Sequence, residues 1–342
     1  MSPEIIDMHI HFGAPKDEES GCYWSKEFEK TAAYYAMLIM TKSLCRKVDI
    51  NRVKKHLLGT INGAKYVQKG VLLAMDQVYD VNGTLQQNKT HLYVPNRYLH
   101  TLAQENERVL FGASVHPYRD DWSEELDFCL ENKAVLCKWI PSSQIINPEH
   151  PKCIPFYQKL VDYKLPLLCH SGPEYSIPTS DKTYNKYNNP KYLRIALEQG
   201  VTVIVAHCAL PYFYLLDKPG YYDDWYDFLK LVPDAEKFGW NLYADLSAIT
   251  GPLRLPFIDD IIKKVPAERL LFGSDYPVPL SGLSYHSAIN VWAWLKFLFK
   301  IMSIKNPLDK NYQILKGMGF ADQVFTNAGQ LFSSILYPSA RG

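Results

Sequence analysis

His9 and His11 lie in the segment Ile-Asp-Met-His-Ile-His, which is otherwise mainly apolar. In a β-strand, residues two apart point to the same face and lie about 6.6 Å apart along the chain. Two imidazoles at this spacing can converge on one metal ion, at Zn–N distances of about 2.0–2.1 Å. Ile10 would point to the opposite face. The pair alone is weak evidence for a metal site, because two histidines at this spacing also arise by chance.

Three other residues strengthen the metal interpretation. His170, His207 and Asp275 each follow an apolar segment and precede residues that favour a turn. If these segments are parallel strands, their carboxyl ends meet at one mouth, so that residues distant in sequence converge. Each residue alone is better explained by local hydrogen bonds. Together with His9 and His11, they predict a metal site.

Three further residues are candidates for substrate binding. Lys138 ends the apolar segment Ala-Val-Leu-Cys-Lys, where burial near a cation would depress its pKa. It would then bind an anionic substrate group or accept carbon dioxide, and a peripheral salt bridge is the alternative. His116, with Arg119 close behind it, either contacts substrate or is structural. Arg254 either pairs with a substrate carboxylate or is exposed at the surface.

Asp245 and Ser247 are candidates for a supporting role. They occur in Tyr-Ala-Asp-Leu-Ser, at the end of another apolar segment. Carboxylates and hydroxyls beside a metal site commonly hydrogen-bond to the histidine ligands and orient them. We therefore expect both residues near the predicted ligands.

The positions of the candidate site residues follow from the predicted strands. Short apolar segments recur along the chain and are separated by gaps long enough for a helix. Continuous apolar runs such as Val-Thr-Val-Ile-Val-Ala are typical of strands buried on both faces of a parallel sheet. Eight strands alternating with helices predict a (β/α)₈ TIM barrel. The predicted strands are Ile5–Phe12, Gly70–Met75, Val109–Val115, Ala134–Ile140, Leu165–His170, Val201–His207, Leu242–Leu246 and Leu270–Gly273.

Two features exceed a minimal barrel of about 250 residues. The stretch of about 13–68 is too long for one crossover helix and predicts a helical insertion after the first strand. Long aromatic loops, Pro173–Tyr192 and Pro211–Trp240, follow later strands and would lie on the catalytic face. We expect one domain over residues 1–342, because no repeat or linker divides the chain.

Composition limits the classes of partner. Apolar residues make up 47% of the chain, which excludes a disordered protein. The net charge of +1 gives no reason to expect nucleic acid or an anionic membrane as a partner. Seven irregularly spaced cysteines and the lack of a visible targeting segment predict a cytoplasmic protein. Nothing in the composition argues against a small-molecule substrate.

The full pattern resembles the amidohydrolase superfamily, and most closely its amidohydrolase-related branch, which includes aminocarboxymuconate-semialdehyde decarboxylase. The residues that carry the resemblance are the paired histidines of Ile-Asp-Met-His-Ile-His, His170, His207 and Asp275 of Leu-Phe-Gly-Ser-Asp-Tyr-Pro. The terminal Asn-Ala-Gly-Gln-Leu-Phe is also similar, so that the resemblance spans the whole chain. These motifs are specific for the fold and the metal but not for the substrate.

The resemblance implies that His9, His11, His170 and Asp275 bind one divalent metal, which would be zinc with manganese as the alternative. It also implies that His207 orients the water or polarises the substrate, and that Asp275 accepts a proton from the water. In some superfamily members a carbamylated lysine on the fourth strand bridges a second metal, which would require carbamylated Lys138 here. A homodimer is a further implication.

Four functions remain open at this point. The leading hypothesis is a metal-dependent hydrolase that uses a metal-activated water on a small, cyclic or carboxylated molecule. The alternative is a non-oxidative decarboxylase of an aromatic or unsaturated carboxylic acid on the same site. A purely structural metal is less favoured, since structural zinc sites are closed and often rich in cysteine. A barrel without metal, whose histidines bind substrate directly, is the fourth.

Overall fold

Eight parallel strands form the central sheet, and they neighbour one another in the order in which they occur along the chain. The computed structural model describes residues 4–211, 220, 222–251, 254–278 and 291–337, with the backbone alone for 291–296. The strands are β1 Ile6–His11, β2 Lys69–Leu73, β3 Val109–Ala113, β4 Leu136–Trp139, β5 Leu167–Cys169, β6 Val203–Val205, β7 Leu242–Asp245 and β8 Leu270–Leu271.

Backbone hydrogen bonds between β1 and the segment around β8 close this sheet. The amide of Met8 donates to the carbonyl oxygen of Phe272 at 3.2 Å, and the amide of Asp275 donates to that of His9 at 2.9 Å. The first and last strands therefore meet, and the sheet forms a barrel. The predicted (β/α)₈ barrel is confirmed, although all eight strands end earlier than predicted. His170 and His207, for example, lie just beyond their strands, which end at Cys169 and Val205.

Helices occupy the connections between the strands, as the sequence predicts. The helices are α1 Ala32–Met40, α2 Ile50–Asn62, α3 Asn96–Glu105, α4 Trp122–Glu131, α5 Pro141–Gln144, α6 Cys153–Asp162, α7 Arg194–Glu198, α8 Asp223–Phe238, α9 Ile258–Lys264, α10 Val291–Ser303, α11 Pro307–Gly317, α12 Asn327–Leu331 and α13 Ser333–Leu336. Within the described ranges, no helix is both long enough and apolar enough to cross a bilayer.

The segment between β1 and β2 contains α1 and α2. The side chain of Thr31 accepts a hydrogen bond from the Tyr34 amide and begins α1, and Asp49 accepts one from the Arg52 amide and begins α2. Such caps satisfy amide groups that have no partner within a helix. A two-residue strand of the same segment, Tyr23–Trp24, pairs antiparallel with Leu92–Tyr93.

The prediction of a long loop after the sixth strand is wrong in part. The stretch Pro211–Trp240 contains the 16-residue helix α8, which an internal proline, Pro233, and many tyrosines obscured in the sequence. Trp225 and Phe228 form part of its buried face. Of the tyrosines in this stretch, Tyr222 precedes α8 and Tyr226 lies within it, whereas Tyr212, Tyr214 and Tyr221 lie outside the described residues.

A β-bulge in β1 sets the direction of the two histidines. The pairing of β1 with β2 shifts register between Asp7 and Ile10. Met8 packs in an apolar cluster with residues of the other strands, whereas Ile10 packs in the larger cluster that includes the helices. Regular alternation would place Met8 and Ile10 on the same face of the strand. The bulge instead places Ile10 on the face opposite to Met8. It leaves His9 and His11 at the mouth, with Ile10 on the helix side as predicted.

Candidate active site

His9, His11 and Asp275 meet at the mouth of the barrel. The Nε2 atoms of His9 and His11 are 3.1 Å apart, and Oδ1 of Asp275 lies 3.4 Å from the first and 3.0 Å from the second. Four ligands around a zinc ion at about 2.0–2.1 Å would lie roughly 3.3 Å from one another. The three atoms therefore have the spacing and the chemistry of a divalent metal site.

Asp245 determines which nitrogen of His9 faces the mouth. Nδ1 of His9 lies 2.7 Å from Oδ2 of Asp245, and both residues are fully buried. Burial alone would raise the pKa of this carboxyl, but the His9 imidazole holds that pKa below its usual range. An ionised carboxylate only accepts hydrogen bonds, so Nδ1 carries the proton. The Nε2 lone pair of His9 is then directed at His11 and Asp275.

Ser247 extends this network to His207. The Ser247 hydroxyl donates to Oδ1 of Asp245 in a short hydrogen bond, and its oxygen lies 2.7 Å from Nδ1 of His207. The carbonyl oxygen of Ser247 lies 3.1 Å from the same nitrogen. Because a carbonyl oxygen can only accept, Nδ1 of His207 also carries the proton. Burial lowers the pKa of His207 well below its usual value, so the ring is neutral and its Nε2 carries a lone pair that can accept a hydrogen bond.

His9, His207 and Asp245 form a second group with metal-like spacing. Their facing atoms already hydrogen-bond to one another or to Ser247. The protons on the two Nδ1 atoms leave no lone pair there for a cation. We therefore interpret this group as the hydrogen-bonded support of the first. The supporting role expected of Asp245 and Ser247 agrees with these contacts.

His170 belongs to neither group. Its Nε2 is buried and forms no hydrogen bond among the described residues, and Oε2 of Glu174 lies 3.2 Å away as an ion-pair partner. Burial lowers the pKa of His170 to about 4, although Glu174 opposes the shift. The structure thus places His170 at the cavity but turns its nitrogen towards a carboxylate.

Glu174 is a site residue that the sequence reasoning missed. Its Oε1 accepts hydrogen bonds from the amide of Ile177 at 2.9 Å and, over a short distance, from that of Ser176. These two amides fix the carboxylate against His170. An acidic residue four positions after a strand-ending histidine, in His-Ser-Gly-Pro-Glu, was the available signal.

The backbone is unusual at both residues that the sequence analysis assigned to catalysis. His207, Cys208 and Ala209 have φ values of 56°, 51° and 54°, and Asp275 has a φ of 63°. Non-glycine residues in this left-handed region are uncommon, and such conformations cluster at functional sites, where the surrounding structure maintains them. Hydrogen bonds from the amide of His207 to Asp245 and from that of Asp275 to His9 provide this support.

Lys138 is buried beside His9, away from the cavity wall. Its Nζ lies 3.4 Å from Nε2 of His9, and the residue is not among those that line the cavity. Burial lowers the pKa of this amine. The structure therefore brings Lys138 to the histidine pair at the mouth.

A cavity of about 280 Å³ opens over these residues, close to the lower end of the usual range for ligand pockets, about 300–1,000 Å³. Arg254 lies in its wall and is 4% exposed, so the surface alternative for this residue is wrong. Its guanidinium donates to the carbonyl oxygens of Leu210 and Pro211. These bonds hold a permanent positive charge at the wall of the cavity.

His116 does not reach this cavity. The residue is fully buried, its Nε2 donates to the carbonyl oxygen of Gln144, and its Nδ1 accepts from the amide of Tyr118. Both ring nitrogens are therefore occupied, and burial lowers the pKa to about 3. Arg119 pairs with Asp76 and Asp121. The structure does not bring His116 or Arg119 to the metal-like group.

The sequence matches the profile of one protein family, described as Amidohydrolase, over residues 6–298. No curated protein sequence shows significant similarity to the chain. Solved structures share the fold at low sequence identity. One is a probable 2-pyrone-4,6-dicarboxylic acid hydrolase from Acinetobacter baumannii, with 16% identity, a TM-score of 0.53 and coverage of 96% of this chain and 99% of that one.

Two decarboxylase structures are similar to the same degree. A 2,6-dihydroxybenzoate decarboxylase has 15% identity and a TM-score of 0.55, with coverage of 97% of this chain and 99% of that one. The 5-carboxyvanillate decarboxylase from Sphingomonas paucimobilis has 11% identity and a TM-score of 0.53, with 98% and 99% coverage. At these identities the similarity demonstrates the fold alone.

Proposed function

The chain belongs to the amidohydrolase family, and on that basis we propose that it is a metal-dependent hydrolase of a small, anionic organic molecule. The observation that carries the proposal is the group of His9, His11 and Asp275, whose facing atoms are 3.0–3.4 Å apart beside the cavity.

The donor set suits a divalent metal. Two nitrogen lone pairs and a carboxylate oxygen repel one another at these distances unless a cation or a proton lies between them. Nitrogen and oxygen ligands fit zinc, with manganese as the alternative. We assign His9, His11 and Asp275 as ligands and His170 as the fourth. The buried Nε2 of His170 forms no hydrogen bond among the described residues, and it would exchange its ion pair with Glu174 for the metal. When bound, such an ion polarises a substrate carbonyl and lowers the pKa of water towards about 7.

The surrounding side chains have separate roles in the proposed reaction. Asp275 accepts a proton from the attacking water on its carboxylate, and a positioned base of this kind contributes about 10²–10⁴-fold. Nε2 of His207 orients the water or the substrate as an acceptor, since Nδ1 is held by Ser247. Arg254 binds the anionic group of the substrate from the cavity wall.

A decarboxylase on the same site is the second candidate. The observation that favours it is the apolar wall of the cavity, which includes Phe28, Ala36 and Met37. A carboxylate that leaves water for such surroundings loses solvation, whereas neutral carbon dioxide does not. The site residues serve both reactions.

A substrate panel tests the proposal and separates the two reactions. Protein purified without chelator should contain about one equivalent of zinc or manganese and should release acid from lactones or amides. Carbon dioxide release from aromatic carboxylic acids, without any hydrolysis, would instead establish the decarboxylase. If no metal is bound and removal of metal from the medium changes nothing, the proposal is wrong.

A further inference from the structure

A second cleft lies between α2 and the beginning of α11, apart from the cavity at the barrel mouth. Its wall is built from residues within 40–60, from Tyr276 and from residues 305–307, and its volume is about 1170 Å³. No described residue lines both this cleft and the cavity over the proposed metal ligands. The proposed reaction therefore assigns no role to the cleft.

One face of α2 forms a large part of the wall. The residues of this helix that line the cleft include Arg52, Lys55, His56 and Gly59. Residues three, four and seven positions apart lie on the same face of a helix. This face of α2 therefore brings two cationic side chains, Arg52 and Lys55, to one cleft.

Two further lysines add to this positive charge. Lys42 follows α1 and Lys305 precedes α11, and both are exposed residues that line the cleft. None of the four cationic side chains forms an ion pair within the part of the chain that the structure describes. Like charges repel one another unless an anion lies between them. The cleft therefore favours a bound anion.

Acidic side chains offset only part of this charge. Asp49 is the one carboxylate among the described residues that line the cleft, and its Oδ1 accepts a hydrogen bond from the amide of Arg52 at 2.8 Å and caps α2. Asp309, the acidic residue of α11, is buried and accepts hydrogen bonds from backbone amides of the segment before β2. Outside the described ranges, Asp217 is the only acidic residue, and it is distant along the chain from every residue of the cleft.

Arg52 and His56 differ in what they offer a ligand. Nε of Arg52 is buried and forms no hydrogen bond among the described residues, and a buried donor without a partner is unfavourable. An anion bound to the guanidinium would supply that partner. Nε2 of His56, in contrast, lies 2.6 Å from the hydroxyl of Tyr276, and burial, followed by the charge of Lys42, lowers the pKa of His56. We therefore count His56 as a neutral part of the wall.

Phosphate matches this group of cations better than a single carboxylate does. A phosphate monoester carries up to two negative charges and three terminal oxygens, which can meet several ammonium groups and the planar fork of an arginine at once. The cleft also exceeds the usual volume of a ligand pocket, about 300–1,000 Å³. An organic group attached to the phosphate therefore has room beside it.

We propose that the cleft between α2 and α11 binds a small organic phosphate, whose phosphate group is held by Arg52 and Lys55 together with Lys42 and Lys305. The site is distinct from the proposed active site, so that either assignment can fail without the other.

Isothermal titration of the holoenzyme at low ionic strength tests the proposal. Phenylphosphonate is the probe, because its carbon–phosphorus bond resists hydrolysis, and it should bind at about one equivalent per chain. Inorganic phosphate should bind less tightly, because it lacks the apolar surface that the ring buries. Inorganic phosphate that binds as tightly as phenylphosphonate overturns the organic part of the proposal, and failure of both to bind overturns the whole.

Charge variants place the ligand in the cleft. The double variant Lys55→Gln with Lys305→Gln should weaken phenylphosphonate binding by at least about tenfold, because it removes two charge-assisted hydrogen bonds. Lys263→Gln on the exposed surface of α9 is the control and should bind as the wild type does. Unchanged affinity in the double variant, or an equal loss in the control, contradicts the proposal.

Asp49→Asn tests the same placement by a gain of affinity. Asparagine caps a helix about as well as aspartate does, so α2 should remain intact while the carboxylate of the cleft is removed. Phenylphosphonate should then bind about two- to fivefold more tightly, the scale of an exposed charge interaction. Unchanged or weaker binding contradicts the assignment.

A phosphonate could also bind to a metal ion, and His9→Ala separates that case. This variant removes a proposed metal ligand far from the cleft in the sequence, and it should bind phenylphosphonate as the wild type does. Loss of binding in His9→Ala, together with full binding in the lysine double variant, would place the anion at the metal and overturn the proposal.

Discussion

Nδ1 of His9 lies 2.7 Å from Oδ2 of Asp245, across 236 residues of sequence. This contact places the proton of His9 on Nδ1 and its lone pair on Nε2, towards His11 and Asp275. Partners of this kind typically raise metal affinity by fixing the tautomer and orientation of the ligand. Asp245 at the carboxyl end of β7 thus orients His9 on β1, which we propose as a metal ligand.

Asp245→Asn should weaken metal binding by about 10–100-fold, because an amide supports the His9 tautomer less well than a carboxylate. Competition with a fluorescent chelator measures the affinity. Asp260→Asn, which removes an exposed partner of Lys264, is the control and should bind metal normally. Normal affinity in Asp245→Asn would show that the contact is not needed for the site.

His9→Ala should lose metal and activity together, because it removes one of the three facing atoms. His207→Ala should retain most of its metal, whereas its turnover falls by about 10²-fold or more. Metal analysis and steady-state kinetics on both variants separate these roles, and His100→Ala on the outer helix α3 is the control. Full activity in His207→Ala would refute its catalytic assignment.

Lys138→Ala should keep about one equivalent of metal per chain. Lys138 lies beside His9, so a carbamate on its nitrogen would be well placed to hold a second ion. Metal analysis of both proteins, with bicarbonate in the buffer, distinguishes the two arrangements. Two equivalents in the wild type and a loss of metal in Lys138→Ala would establish the bridged form.

Gly273→Ala should disturb the site although the residue bears no side chain. A Cβ at this position would lie 2.9 Å from the Cβ of His9, so the histidine or the strand must move. Overpacking of this kind costs about 1–3 kcal/mol of the free energy of unfolding, and metal affinity should fall with it. Urea unfolding and chelator competition measure both effects.

Gly59→Ala is the matched control for this substitution. Gly59 lies within α2, and an added Cβ meets no heavy atom within 4 Å. Alanine should stabilise the protein by about 0.5–1 kcal/mol, because glycine is unfavourable inside helices. If both variants behave alike, close approach of the backbone to His9 does not explain the effect.

Asp224→Asn should stabilise the protein at neutral pH but not at pH 4. Burial, followed by the charge of Asp227, raises the pKa of Asp224 to about 6, above the usual value of about 3.9 in an unfolded chain. The folded state therefore disfavours the charged form, and stability is lost as the pH rises from about 4 to 6. Urea unfolding across this range measures the difference, with the exposed neighbour Asp223→Asn as the control. A pH-independent difference would contradict the assignment.

Much of the barrel was predictable, because most buried strands appear as short apolar runs, and several of these runs end at or just before a polar residue. His9, His11 and Asp275 were found in this way, and the structure brings their polar atoms together. The helix α8 was missed, since its internal proline and the tyrosines in and before it hide its apolar face. The position of His170 against Glu174 was also not predictable, because a sequence does not specify which way a side chain turns beyond its strand.

The sequence by itself determined which segments form the strands and in what order, because hydrophobic periodicity specifies strands and the faces they bury. Only the tertiary structure decided which nitrogen of His9 is available, that Arg254 is buried in the cavity wall, and that α1 contributes Ala33, Ala36 and Met37 to this wall. Each of these depends on partners that are distant along the chain. Such contacts are chosen by the packing of the whole barrel, and no local pattern of residues encodes them.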